Sequence, residues 1–384
     1  MSRSQAVGGV ACLVAGALAG WVAIRGNHID FEVYVRAGAR LLDGRDPYAA
    51  RAELPFTYPP FAAILGALMS LAQPIALAML ALLTVVSTSF ATVASWGTAS
   101  GPVALLLVAG GIASEPVLRS LHLGQVNGLV VGLVVVDLLI VPTRWRGWLT
   151  GLAAGIKLTP LVFVLHPIFR RDWAMLVRML AGLAATVVAG AAVLPAASRR
   201  FWGDLVADPG RVGGLGFADN QSLRGVAERL VPNHAAVVWA LASLVVLALG
   251  MRALALRRDR PAIESVLTCG LIGLLVSPIS WSHHWLMLPA VAALLLRERR
   301  FVSAVVVATV ALLAPHWYLG GVLPGALGAG ALGAAAANSM ALAGILALVT
   351  LGLRPSRTSH LASSYAAEAS PSLAVPPGTG NATA

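Results

Sequence analysis

VGGVACLVAGALAGWVAI, residues 7–24, carries no charge and is closely followed by Asp30 and Glu32. An uncharged apolar run of roughly 17–25 residues is long enough to cross the hydrocarbon core as a helix, so this stretch is predicted to span a membrane. The carboxylate of Asp30 is then predicted to lie at the membrane surface. Runs of the same kind recur along the 384 residues, 58% of which are hydrophobic and only 11% charged. Soluble domains carry about 25% charged residues. With a mean hydropathy of +0.82 and no alternating strand pattern of the barrel type, the sequence predicts an all-α polytopic membrane protein.

The formal net charge of +11 does not point to nucleic acid, because the arginines fall in short clusters between apolar runs, as membrane topology demands. Cys12 and Cys269 lie inside apolar runs without partner or metal-ligand spacing and read as buried thiols. MSRSQ ahead of the first run resembles a signal peptide, but the many later spans favour an uncleaved anchor.

Orientation follows from Arg144/Arg146, Arg170/Arg171, Arg252/Arg257/Arg258/Arg260, Arg297/Arg299/Arg300 and Arg354/Arg357, all assigned to the cytoplasm. Spans are predicted at 7–24, 58–72, 76–96, 126–141, 173–195, 234–256, 262–279, 284–296, 301–317 and 331–353. Residues 102–125 are predicted as a re-entrant hairpin beginning and ending outside. The segment 147–169 lies between two cytoplasmic clusters and is broken by Lys157-Leu158-Thr159-Pro160. Proline removes a donor and disfavours helix in the residue before it, so two half-helices that enter and return satisfy both ends. Residues 1–354 thus form one transmembrane domain of about 10–12 membrane segments, with a first outer loop at 25–57 and a larger one at 196–233. The tail 355–384 is predicted to be disordered and cytoplasmic, and the Gly/Ala run 320–337 is low in complexity.

The unusual polar residues gather on the predicted outer side: Asp30 and Glu32, Tyr58, Glu115, Gln125, Asn127, GFADNQS at 216–222, and Ser280-Trp281-Ser282-His283-His284-Trp285. The arginines alone set the orientation, so this coincidence points to one polar site at the membrane boundary. Each residue also has a plainer reading. Asp30 suits a helix cap, the two histidines an aromatic belt with Trp281 and Trp285, and Lys157 a snorkelling side chain. A mid-hairpin break is nonetheless an expensive place for a lysine unless it meets a cavity or an anion. Asp43, Asp46 and Glu53, interleaved with arginines, suit a solvated amphipathic surface helix and turn. No metal site is expected, because the histidines have no other ligand at local spacing.

In order, Asp30-x-x-Val33-Tyr34 with LLDGRDPY and FTYPPF, HLGQVN (122–127), GIKLTP (155–160), FADNQS (217–222) and SPISWSHHW (277–285) resemble glycosyltransferase family 87. This family comprises actinobacterial polyprenyl-phosphate-mannose-dependent α-1,2-mannosyltransferases of the GT-C class. The resemblance covers about residues 28 to 290 and excludes the tail. It implies a GT-C fold and an inverting transfer of mannose from a polyprenyl-phosphate-mannose donor to the 2-hydroxyl of an acceptor mannose. That reaction takes place at the outer, periplasmic face of the plasma membrane.

The resemblance further implies that Asp30 is the base removing the proton of the attacking hydroxyl. The leaving phosphate needs cationic or hydrogen-bonding help, assigned to Lys157 and a histidine of the pair, His284 in preference to His283. Gln125 and Asn127 join the site. Asn220 and Gln221 are expected to hold sugar hydroxyls, and Tyr58, Trp281 and Trp285 to stack on a pyranose or line the prenyl groove. No nucleotide loop, metal pair or cofactor is called for. The acceptor, a phosphatidylinositol mannoside, lipomannan or arabinan end, stays open, as does another prenyl-phosphate sugar. A transporter or flippase is the rival from another class, disfavoured by the lack of an internal repeat.

Overall fold

The computed structural model describes residues 3–49, 54–98, 101–318 and 330–353. Arg51, Glu53, most of the Gly/Ala run, Arg354/Arg357 and the tail lie outside the described residues. Every regular element among those described is a helix, with one isolated backbone bridge between Asn220 and Trp281. In chain order the α-helices are α1 (Arg3–Arg25), α2 (Ile29–Leu42), α3 (Pro60–Leu71), α4 (Gln73–Trp96), α5 (Pro102–Ile112), α6 (Glu115–Leu123), α7 (Asn127–Leu139), α8 (Trp148–Ile156), α9 (Leu165–Arg170), α10 (Trp173–Val193), α11 (Pro195–Gly203), α12 (Leu223–Leu230), α13 (Ala235–Leu256), α14 (Ala262–Val276), α15 (Leu288–Arg297), α16 (Phe301–Leu313), α17 (Pro315–Tyr318), α18 (Ala331–Ala337) and α19 (Ser339–Leu351). Four of these segments are long and apolar enough to cross a membrane alone: α1, α4, α10 and the stretch ending in α13. The protein is an all-α polytopic membrane protein.

Hydrogen bonds distinguish the two ends of the bundle. At one end Arg170 donates to the carbonyl of Arg260, and Arg178 to those of Arg146 and Thr143. Arg257 joins them, donating to the Leu351 carbonyl and pairing with Glu264 and Glu298, all three side chains being buried. The basic clusters predicted to share a side therefore meet. At the opposite end the His28 amide donates to the His122 carbonyl, Arg211 to that of Phe56 and Gln221 to that of Ala337.

The hairpin predicted at 147–169 forms. The segment starts at the arginine end, where the buried Asp137 carboxylate accepts from the amides of Gly147 and Thr150 and the Thr150 hydroxyl, fixing the start of α8. Helix α8 climbs to Lys157, whose extended backbone ends it, and a 3-10 turn with α9 returns to Arg170.

Two expectations are corrected. Residues 102–125 are no hairpin, because α5 and α6 meet at a bend of 45° instead of a reversal. Gly8 packs on Pro102 and Leu105, Cys12 donates to the Leu105 carbonyl, and His28 meets His122. The pair thus runs alongside α1 in the same direction, from the arginine end to the other. The cause of the bend is local: Pro116 cannot donate to the helical ladder, and Ser114 donates instead to the Gly111 carbonyl at 2.6 Å.

Residues 58–72 are no span either. Helix α3 begins where Pro60 meets Gly190 near the end of α10, and α4, which follows it directly, already has Leu77 against Gly124, so α3 begins and ends at the same end of the bundle. It packs along α2, where Gly38 and Gly66 come so close that neither position admits a Cβ. The predicted span 331–353 is also interrupted, with α18 and α19 bent by 80° at Asn338.

Candidate active site

Chain direction changes abruptly after α1. His28 adopts a left-handed backbone (φ 48°), a conformation uncommon outside glycine that His tolerates better than most. Its ring is held 2.8 Å from the Ala23 carbonyl. This corner puts Asp30 in the first turn of α2, on the same helical face as Tyr34 four residues later.

Gln125 joins the two. Its amide donates to Asp30 Oδ2 at 2.6 Å and accepts from the Tyr34 hydroxyl at 2.9 Å. Tyr34 has one proton, given to Gln125, so the 3.0 Å contact between the Tyr34 and Tyr58 hydroxyls is donated by Tyr58. Gln125 gets this close because Gly124, left-handed at φ 67°, lies against Phe31, where a Cβ would clash. Burial raises the Asp30 carboxyl above its usual pKa, while Gln125, Lys157 and Arg119 pull it back down. A carboxylate tuned upward is a stronger base.

Lys157 and His284 form the second part. Lys157 Nζ lies 2.9 Å from Asn127 Oδ1 and 2.9 Å from His284 Nε2, and 5.7 Å above the Tyr58 ring. An ammonium has three protons, and these two acceptors leave one. As His284 accepts at Nε2, its proton sits on Nδ1, and Nδ1 has no partner among the described residues. Asn127 and Ser120 both donate to the His283 carbonyl, pinning the turn that carries the histidines.

Asp30, Tyr58, Gln125, Lys157, Trp281, His283 and His284 all line one cavity of about 460 Å³. Its wall continues past Lys157, Thr159 and His284 into a narrower cavity of about 80 Å³, lined by Val130, Val134, Phe163, Leu267 and Leu271. Asn127 faces that second cavity and holds Lys157. The arrangement sets the Asp30 carboxylate and the Lys157–His284 pair around one cavity, with an apolar cavity beside the pair.

Asn220 and Gln221 are not brought to the wall. Both are fully buried. Asn220 donates to the carbonyls of Leu215 and Pro278 and accepts from the amide of Ser280, and Gln221 donates to those of Ala218 and Ala337 and accepts from Met340 N. Their amides fasten the 216–222 loop to its neighbours. Trp285 is buried against Gly344 and lines the narrower cavity. Missing from the sequence reading were Tyr34, readable from its helical spacing to Asp30, and Asp219, Arg119 and Arg211, which also line the cavity. Asp219 sits inside FADNQS and was available as a motif residue. Arg211 had no such signal.

Residues 56–278 match the model of glycosyltransferase family 87. The chain belongs to glycosyltransferase family 87. Over 314 residues it is 34% identical to a polyprenol-phosphate-mannose-dependent alpha-(1-2)-phosphatidylinositol mannoside mannosyltransferase of Mycolicibacterium smegmatis, covering 71% of each chain. A Mycobacterium tuberculosis protein of the same description is 33% identical, over 73% of this chain and 74% of its own. An M. smegmatis polyprenol-phosphate-mannose-dependent alpha-(1-2)-phosphatidylinositol pentamannoside mannosyltransferase is 37% identical, over 68% of each. No solved structure matches. This family 87 member is a glycosyltransferase, and the two-part cavity is its candidate reaction centre.

Proposed function

We propose that this family 87 enzyme transfers mannose, with inversion, from a polyprenyl-phosphate-mannose to the 2-hydroxyl of a mannose on a phosphatidylinositol mannoside, at the outer face of the plasma membrane. The observation that carries the reading is the shared cavity, with Asp30 held by Gln125 on one part of its wall and the Lys157–His284 pair on another. Three relatives described as using this donor on phosphatidylinositol mannosides support the sugar and the acceptor class. Siting the cavity away from the arginine end supports an outward-facing reaction.

In this reading Asp30 accepts the proton of the acceptor 2-hydroxyl as its oxygen bonds to the donor's anomeric carbon. The bond from that carbon to the phosphate oxygen breaks with its electron pair, and polyprenyl monophosphate departs. Lys157, held by His284 Nε2, takes up the charge that grows on the leaving oxygen, which is where fixed donors lower a barrier most. The apolar cavity beside them receives the first part of the lipid chain, and Trp281 and Tyr58 offer ring faces to the sugars.

The test supplies membranes containing this protein with radiolabelled polyprenyl-phosphate-mannose and purified phosphatidylinositol mannosides. A labelled, 2-linked product that needs both substrates and disappears in Asp30→Asn supports the reading. Transfer of another prenyl-phosphate sugar in preference to mannose would reject it.

A further inference from the structure

Three side chains far apart in sequence, Glu115 at the start of α6, Asp219 in the 216–222 loop and His316 in α17, converge with their ligand atoms within 4.8 Å of one another. Their surroundings are unusual for a buried cluster. His316 is 1% exposed, and neither ring nitrogen has a partner. The second oxygen of Glu115, Oε2, is also buried and unpartnered. Among the described residues no ion pair reaches Glu115 or Asp219. The nearby Arg119 instead lies 5.1 Å over the Trp317 ring. Arg119 is the cation nearby and acts on both acids through space, but it forms no ion pair with either, so two desolvated carboxylates beside an unpartnered imidazole leave room for a directly bound cation.

We propose that Glu115, Asp219 and His316 bind a divalent transition cation of the Zn²⁺ or Mn²⁺ class. Mixed imidazole and carboxylate donors suit these ions. Metal–ligand bonds of about 2.0–2.2 Å span ligand separations up to about 4.4 Å, so a small side-chain closure completes the site. Neutral imidazole is the ligating form, and both His316 ring nitrogens are free of protein partners among the described residues. Three protein ligands leave at least one position for water or a substrate oxygen.

The site's second shell ties it to the reaction centre. Ser282 donates from its hydroxyl to Glu115 Oε1 and from its amide to Asp219 Oδ1, and Trp317 donates to the same Glu115 oxygen at 2.9 Å. Ser282 directly precedes His283 and His284, and Asp219 itself lines the main cavity. A cation here fastens α6, the 216–222 loop and α17 around the histidine turn, and it neutralises the two acids.

The test uses the full chain, purified in detergent, stripped with EDTA, re-equilibrated with ZnCl₂ or MnCl₂ and desalted before elemental analysis. The expected result is about one equivalent of metal per chain, with a raised melting temperature relative to the stripped protein. Glu115→Gln and His316→Gln are each expected to lower the affinity at least tenfold, while Asp30→Asn keeps full occupancy. Glu115→Gln is isosteric and supplies the reading should His316→Gln not accumulate. Wild-type protein retaining no more metal than these variants, or variants retaining as much as wild type, would overturn the proposal. Metal content is measured without substrate, so the result stands whichever sugar the enzyme transfers.

Discussion

Gln125 and Asp30, 95 positions apart, are joined by a 2.6 Å hydrogen bond from the Gln125 amide to the Asp30 carboxylate. Tyr34 fixes the amide's other end, so Gln125 positions the base and also favours its charged form. Gln125→Leu removes both effects. Its kcat is expected to fall about 10²-fold, and the acid limb of its pH–rate profile to move upward. Unchanged rate and limb would show that Asp30 needs no such support.

For Asp30 itself, the amide of Asp30→Asn keeps size and hydrogen bonding but cannot take a proton. Loss of general-base catalysis is expected to lower transfer about 10²–10⁴-fold at normal protein abundance. Wild-type turnover in this variant would remove Asp30 from the chemistry.

The pH dependence has a definite sign. Burial raises the folded Asp30 carboxyl above its ordinary value, about 3.9 in model peptides. Only the unprotonated form accepts a proton, so kcat/KM is expected to fall as pH drops through that raised value and to level off above it. A profile flat down to the ordinary carboxylate range would contradict the burial of the base.

Lys157 is expected to act on the donor. Lys157→Met deletes the charge and the third ammonium proton, and transfer should drop about 10²–10³-fold. The KM for the acceptor should change little. An effect confined to acceptor KM would move Lys157 to the other substrate.

Far from the cavity, Arg257→Leu would strand the buried Glu298 and leave Glu264 to Arg297 and Arg260 alone. Breaking a buried ionic cluster from one side costs about 3–5 kcal/mol, measurable as a lower unfolding midpoint in detergent. A midpoint within error of wild type would mean that the two acids find other partners or protonate freely.

Much of this was legible in the chain. Arginine clusters fixed which ends of the apolar runs lie together, and Lys157-Leu158-Thr159-Pro160 announced the hairpin because proline acts locally. Where length and hydropathy were the sole guide, reading failed. Residues 58–72 are as apolar as a span, and only the tertiary approach of Gly38 to Gly66 reveals that they lie along α2. Residues 102–125 were misread because counting 58–72 as a span put the start of 102–125 on the outer side, so that both its ends had to lie there. At the site, the motifs read in the sequence bring Asp30, Gln125, Lys157 and His284 to one cavity wall; residue type was the guide for Asn220 and Gln221. It misassigned Asn220 and Gln221, since a polar amide in a loop is equally suited to sugar and to backbone, and only the partners distinguish them.

The hairpin at 147–169 has a consequence for how the enzyme can diversify. Lys157 is mounted on a lever rooted at the arginine end by Asp137, whereas Asp30 rides on α2 at the opposite end. In the proposed reading, donor handling and acceptor activation are thus built on separate parts that line the same cavity. Exchanging α2 with that of a relative should alter acceptor use while the lipid-linked donor stays the same. A chimera that changed donor instead would show that the two parts are not independent.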